Sequence, residues 1–397
     1  MKIPLIDLKK QYKTIEEESN RKVLEVLKSA NYIMGEHVKT FEKEFADFIG
    51  VEHGISCGNG TDALVIALKA MNIGPGDEVI TSAFTFFATA ESISSVGATP
   101  VFVDVEKDTF NMDPLMIEEK ITARTKAIMP VHIFGQACKM DEINRIAKKH
   151  DLLVIEDACQ GVGGEYKGRK IGALGDIACF SFFPTKNLGC AGDGGMIVTD
   201  REDLAVITKG LRTHGSGETG RNAYNLMNNI DEENDESDSK DQTVYNPLKY
   251  YNYLIGHNSR LDELQAAILR EKLPLLDQWN QERRSNAEFY NEELADTRFT
   301  TPFENRDVMH VYHMYILQSE EREEAILHLK EKGIATGVYY PIPLHLQKAY
   351  TDLGYKEGDL PISEYLSKRT FAIPVYAELE MEEKEYIVRC LKEFDNR

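Results

Sequence analysis

The sequence predicts an α/β protein with a large N-terminal domain and a smaller C-terminal α/β domain. Three observations carry this reading. From about residue 50 to 210, strand-like and helix-like segments alternate, as a mostly parallel sheet with helices on both faces requires. The apolar strands 177–183 (IACFSFF) and 194–199 (GGMIVT) then follow with little between them, so that part of the sheet departs from strict alternation. Beyond about residue 270 a second, shorter set of strands and helices appears. A chain of 397 residues fits two or three domains at roughly 150 residues each.

In order, the strand 51–57 leads into the apolar helix 61–71, and 77–81 into 85–97. The strand 100–106 precedes a helix near 116–121, the strand 126–132 precedes the helix 140–150, and 152–157 (LLVIED) closes the series. Between Gly215 and Tyr250 the pattern collapses. Residues 231–241 hold seven Asp or Glu and a single Lys, a composition that cannot offset ordering entropy by burial, so a flexible acidic insertion is expected at about 217–250. Residues 260–290 read as long helical sequence that Pro274 kinks or divides. The strand 311–317, the helix 320–333, the extended 335–344 and the amphipathic helix 381–394 complete the chain. We place the large domain at 1–270 and the small one at 271–397.

Lys and Arg number 46 against 66 Asp and Glu, a net charge of −20, which counts against general nucleic-acid or anionic-membrane binding. The six cysteines form no CxxC pair or Cys/His cluster, so small buried hydrophobes are expected and no metal. The first residues turn charged too soon for a signal peptide, and no run approaches the roughly 18 apolar residues of a membrane span. A cytoplasmic protein is the expectation.

Four segments carry chemistry. Residues 57–63 (CGNGTDA) lie between a strand and a helix, so Gly60, Thr61 and Asp62 can offer helix-start N–H groups to an anion, with the Asp62 carboxylate capping the helix. The loose Gly58-x-Gly60-x-x-Ala63 match to a dinucleotide fingerprint lacks the acid that should close the next strand. Asp157, in the acidic pair ending 152–157, reaches the crevice at the strands' carboxyl ends and suits a pyridine nitrogen; a capped strand end or a metal ligand is the alternative. Residues 179–195 set Lys186 among apolar and small residues, where an amine loses its proton more easily, and supply the Ser181 hydroxyl for a phosphate. Residues 256–265 (GHNSRLDELQ) offer Asn258 and Arg260 as anion ligands, with Asp262 as a helix cap. His132, His310 and His313 read as satisfied core histidines.

The segments GNGTDAL, TFFATAE, VIEDACQ, SFFPTKNLG-x-x-GDGG and GHNSRLDELQAA, in this order and spacing, resemble the DegT/DnrJ-type sugar aminotransferases. The opening IDLKKQY and the late YYPIPLHLQ extend the resemblance over nearly the whole chain. It implies pyridoxal 5′-phosphate as cofactor and the fold type I, aspartate-aminotransferase-like architecture with a mostly parallel seven-stranded sheet. By the same resemblance, Lys186 is the Schiff-base lysine and Asp157 the carboxylate on the pyridine nitrogen. Phe86 stacks on the cofactor ring, with Phe84 and Phe87 close in sequence. Gln160 meets the ring hydroxyl, and Gly60, Thr61, Asp62 and Ser181 hold the phosphate. Asn258 enters from the neighbouring subunit, which implies a homodimer with shared active sites, and Arg260 holds substrate from that same chain. Tyr340 and His345 are candidates for the sugar pocket, ordinary packing being the alternative for each. The donor is L-glutamate and the acceptor a keto group, C3 ahead of C4, on a nucleotide-linked sugar for amino-sugar or glycan synthesis. A nicotinamide oxidoreductase and a non-catalytic cofactor-binding regulator are the rival classes. The loop between Gly215 and Gly256 looks longer than the family carries.

Overall fold

The computed structural model describes residues 1–230 and 250–397, so the acidic run 231–241 lies outside the described residues. Two helices, α1 (Leu8–Ser29) and α2 (Glu36–Ile49), precede the sheet. The sheet region holds β1 (His53–Cys57), α3 (Gly60–Ala70), β2 (Glu78–Ser82), α4 (Phe87–Ser95), β3 (Thr99–Val103), β4 (Thr125–Met129), α5 (Met140–His150) and β5 (Leu153–Asp157). It continues through the short β6 (Glu165–Tyr166) and β7 (Arg169–Lys170) to β8 (Ile177–Ser181), β9 (Gly195–Thr199) and α6 (Glu202–Leu211).

These strands give a seven-stranded sheet in the order β1-β9-β8-β5-β4-β2-β3. Only β9 runs against its neighbours, pairing antiparallel with both β8 and β1. This is the departure from alternation expected at 177–199. It leaves the chain between β8 and β9 free to form an irregular loop at the C-terminal end of β8. Successive strand residues face opposite layers. Ile80, Ile128 and Val154 pack with Phe41 and Phe45 of α2 and Ile143 of α5, while Val79, Ala127 and Ile155 pack with α3 and α6.

Two expectations for the large domain fail. No α-helix forms at 116–121; two 3-10 turns, Pro114–Met116 and Glu118–Lys120, stand there. Only Pro114 and Ile117 of this stretch are buried, too few apolar positions for packing to hold a helix. The insertion expected at 217–250 begins instead with a helix, α7 (Gly217–Asn228). It packs through small residues: a Cβ placed on Gly210 of α6 would lie 2.6 Å from the Ala223 Cβ. Sparse large apolar side chains therefore did not mean absent structure.

Pro274 divides the long helical stretch into α8 (Glu263–Lys272) and α9 (Leu276–Glu293), joined by a 3-10 turn. The polypeptide then passes through β10 (Val308–Met309), β11 (Tyr315–Gln318), α10 (Arg322–Glu331), α11 (Pro361–Arg369), β12 (Thr370–Ile373) and α12 (Met381–Asp395). The domain division is less simple than a cut at 270. Leu273 and Leu276 belong to the large-domain core, whereas Ala287 and Tyr290 join the small-domain core with Leu317, Phe371 and Leu391. Ile3 enters that small-domain core as well, bridging Ile334, and β10 pairs with β6 of the large domain. The strand expected at 311–317 is strand only from Tyr315, because Val311 turns aside to bond the Gly135 carbonyl.

His310 is buried in this turn, stacked 3.9 Å from the Tyr312 ring, with Nδ1 accepting the Tyr312 N–H at 2.9 Å. Burial, then the Arg284 charge, pushes its pKa down to about 3. The unfolded chain takes up this proton near pH 6.5, so the unfolded state binds more protons between those values and stability falls as pH drops through them. We expect a loss of about 1.4 kcal/mol per pH unit from this group below about pH 6. Urea titrations of the wild type and His310→Asn at pH 7 and pH 5 should show a shallower pH slope in the variant.

Candidate active site

A cavity of about 870 Å³ opens at the C-terminal ends of β5 and β8, walled on its other side by Met314, Val338, Tyr339 and Tyr340 of the small domain. This is where open α/β sheets place their ligands. Gly60, Thr61, Asp62, Phe86, Asp157, Gln160, Ser181, Lys186 and Tyr340 all line it.

The anion cradle forms because β1 runs into α3 with two residues between them. Asn59 caps the helix, its Oδ1 accepting the Asp62 N–H at 2.8 Å. The N–H groups of Gly60 and Thr61, in the first turn, have no partner within the helix and stay available to an anion. Gly60 is required by close approach: a Cβ there would lie 2.7 Å from the Ser181 Cβ and 3.1 Å from the Cys159 Sγ. Two expectations for Asp62 fail. Its N–H is already used by Asn59, and its carboxylate does not cap the helix but accepts the Ser259 hydroxyl at 2.6 Å. Asp262 likewise makes no side-chain cap to α8. The next residue acts elsewhere, Glu263 accepting the N–H groups of Gly35, His37 and Val38 at the start of α2.

Strand alternation separates the acidic pair of β5. Glu156 turns away from the cavity and accepts from His132 Nε2 at 2.9 Å and from the N–H groups of Gly172, Leu174 and Gly175. His132 accepts the Cys138 N–H at Nδ1, so its hydrogen sits on Nε2 and it is a satisfied core histidine. Asp157 faces the cavity. Its Oδ2 accepts the Thr89 hydroxyl at 2.7 Å and its Oδ1 the Cys159 N–H at 3.2 Å. Thr85 lies 3.1 Å from the Thr89 oxygen and, since Thr89 donates its hydrogen to Asp157, Thr85 donates to Thr89.

Lys186 sits on the loop after β8. Burial pulls its pKa below the ordinary range, against the opposing pull of Cys159 and Asp157, so the neutral amine is easier to reach. The three neighbouring phenylalanines sort by exposure. Phe84 is fully buried in the core and Phe87 packs on Tyr350, while Phe86, 56% exposed, presents its ring to the cavity. Gln160 accepts the Phe134 N–H at 2.8 Å and donates to the Tyr340 oxygen at 2.9 Å. That arrangement leaves the Tyr340 hydrogen for a ligand.

The remaining candidates lie elsewhere. His345 is buried away from the cavity, 3.1 Å from Glu364 and edge-on to Tyr355, and is a packing residue, not part of a sugar pocket. Asn258 is exposed and Arg260 half-buried, and neither lines this chain's own cavity. Sequence reasoning missed Thr85, Thr89, Cys159 and His313 as cavity residues. Thr85 and Thr89 flank Phe86 at helical spacing, which could have marked them. His313 had no local signal. Asn187 gives its two N–H bonds to Asn280 Oδ1 and the Val311 carbonyl, so its Oδ1 must accept from His313 Nδ1, at 3.3 Å. The other ring nitrogen is then an acceptor with no donor among the described residues, and burial, aided by Lys186 and Arg283, pushes the His313 pKa well down. Among the described residues no group of three or more His, Cys, Asp or Glu could hold a metal, and no helix is long and apolar enough to cross a membrane.

An amine able to lose its proton, a carboxylate anchored from behind, an exposed ring and two free N–H groups beside a hydroxyl fit a phosphorylated aromatic aldehyde with a ring nitrogen. On this fold they define an aminotransferase that uses pyridoxal 5′-phosphate. The model of the DegT/DnrJ/EryC1/StrS aminotransferase family matches residues 13–392, and the chain belongs to that family. It is 46% identical over 397 residues, 99% of each chain, to a Geobacillus stearothermophilus protein called pleiotropic regulatory protein. It is 41% identical over 381 residues (96% of this chain, 95% of the relative) to UDP-N-acetyl-3-dehydro-alpha-D-glucosamine 3-aminotransferase of Acidithiobacillus ferrooxidans. The crystal structure of S. venezuelae DesV matches with a TM-score of 0.90 at 36% identity, covering 100% of this chain and 99% of that one.

Proposed function

We propose that this enzyme moves an amino group from L-glutamate to the C3 keto group of a nucleotide-linked sugar, as a homodimer with shared active sites. The observation that carries the reading is the meeting of Lys186, Asp157 and the Gly60–Thr61–Ser181 cradle in one cavity. The 3-aminotransferase activity named for the Acidithiobacillus relative supports C3 over C4.

Bound pyridoxal phosphate supplies an electron-withdrawing ring that stabilises negative charge at the donor's α-carbon. In this reading Lys186 Nζ would hold the cofactor at rest and, once released, would move a proton from the donor's Cα to the cofactor's former aldehyde carbon, and in the second half-reaction from that carbon to the sugar carbon. Asp157 holds a proton at the ring nitrogen. Gly60 and Thr61 N–H and the Ser181 hydroxyl bind phosphate, Gln160 meets the ring hydroxyl, and Phe86 covers one ring face. Tyr340, its hydrogen free, orients the sugar, while Asn258 and Arg260 serve the partner's cavity. The Geobacillus relative's name raises the regulator reading, which does not need a proton-transfer lysine facing a ring-nitrogen carboxylate. An absorbance titration decides. The holoenzyme's yellow band should fade with L-glutamate and return with a UDP- or dTDP-linked 3-keto sugar; return with 4-keto sugars alone would overturn C3, and a band indifferent to glutamate would overturn the donor.

A further inference from the structure

The carboxylate of Asp62 stands beside an anion cradle, where its charge repels a phosphate, and no step of the proposed reaction uses it. Its partner explains it. Ser259 is 2% exposed, and its hydroxyl is engaged in both senses: it donates to Asp62 Oδ2 at 2.6 Å and accepts the Gly58 N–H at 2.9 Å. Both partners belong to the turn from β1 into α3 that forms the cradle. The fit is close, since a Cβ on Gly58 would lie 3.2 Å from the Ser259 Oγ and 3.4 Å from Asp62 Oδ2.

The backbone around Ser259 is tied to a different element. Its N–H donates to the Arg212 carbonyl at 3.0 Å, His214 N donates to the His257 carbonyl at 2.8 Å, and Asn258 bridges Thr213. Along an extended segment side chains alternate between two faces. Ser259 therefore points into its own cradle while Asn258, exposed, and Arg260, half-buried, point the other way. A shift of the cradle and a shift of Asn258 are thus one movement about a single peptide segment.

We propose that Asp62 and Ser259 are positioning residues that couple two active sites, linking the cradle of one subunit to the Asn258 it presents to the other. This rests on the reading that Asn258 serves the partner's cavity. Such coupling is reciprocal: occupancy of one cradle steadies the arm that completes the second site, and the second site's occupancy steadies the first cradle.

The test uses heterodimers isolated with two affinity tags, one subunit wild-type and the other carrying Lys186→Ala. Pyridoxal 5′-phosphate is titrated, and the visible band that only the lysine-bearing site gives is followed. Adding Ser259→Ala to the dead subunit should raise the Kd of the wild-type site about five- to tenfold. Asp62→Ala in the dead subunit should do the same, which keeps the test alive if the serine variant fails to assemble. Asn258→Ala in the dead subunit is the control for the shared site. If it weakens the wild-type site while Ser259→Ala and Asp62→Ala do not, the coupling is wrong and the shared site stands. If none of the three has an effect in trans, the shared-site reading falls and the coupling with it.

Discussion

Lys186→Ala should lose transamination by about 10⁴-fold or more, because one side chain supplies both the covalent anchor and the proton carrier. The protein should still fold, since Lys186 makes no side-chain hydrogen bond or ion pair among the described residues. Its thermal midpoint should stay within a few degrees while the yellow band disappears. Lys186→Arg tests whether positive charge alone can replace these roles. It keeps the cation but cannot become a neutral base near pH 7, so it should be as inactive as the alanine variant. Added small primary amines should restore a measurable part of the activity to Lys186→Ala, whose side chain leaves room in the cavity, and none to the arginine variant. A regulator or a nicotinamide oxidoreductase built on the same fold would keep its function in both variants. Retained glutamate-dependent transamination in Lys186→Ala would remove the lysine from the mechanism.

Much of this architecture could be read from periodicity. The alternation of β2, β4 and β5 between two apolar layers is written in consecutive apolar residues such as Val79-Ile80 and Val154-Ile155. Lys186 and the Gly60 turn were visible because glycine and an amine in apolar sequence are locally unusual. Contacts between distant segments were not visible. Asp62 looked like a helix cap until Ser259, far along the chain, took its carboxylate. For His345 the sequence left pocket and packing open, and only the contact of its ring with Glu364 decides for packing. His313 becomes a cavity acceptor only through a relay of Asn187 and Asn280, from a loop and a helix that no local pattern joins to it. In α7 the error had another source: a hydrophobicity pattern does not register packing between small residues such as Gly210 and Ala223.

Asp157→Asn should lower kcat about 10²- to 10³-fold, with the cofactor still bound and the yellow band shifted but present. The substitution keeps the shape and can still accept the Thr89 hydroxyl at 2.7 Å, giving up only the longer bond from the Cys159 N–H at 3.2 Å, so the loss reports chiefly the charge. An amide cannot hold a proton at the ring nitrogen, and the negative charge that develops at the donor's α-carbon then has no protonated ring to receive it. The Thr85–Thr89 pair grades this prediction. Thr89→Val removes a charge-assisted hydrogen bond worth about 1.5–3 kcal/mol and frees the carboxylate to turn, so kcat should fall about tenfold with little change in KM. Thr89→Ser keeps the hydroxyl and should stay within about twofold of wild type. In the double variant Asp157→Asn/Thr89→Val the second loss should largely vanish, because Thr89 acts through the charge that is already gone. Additive losses in that cycle would mean that Thr89 touches the reaction by another route and that the relay behind Asp157 is only packing.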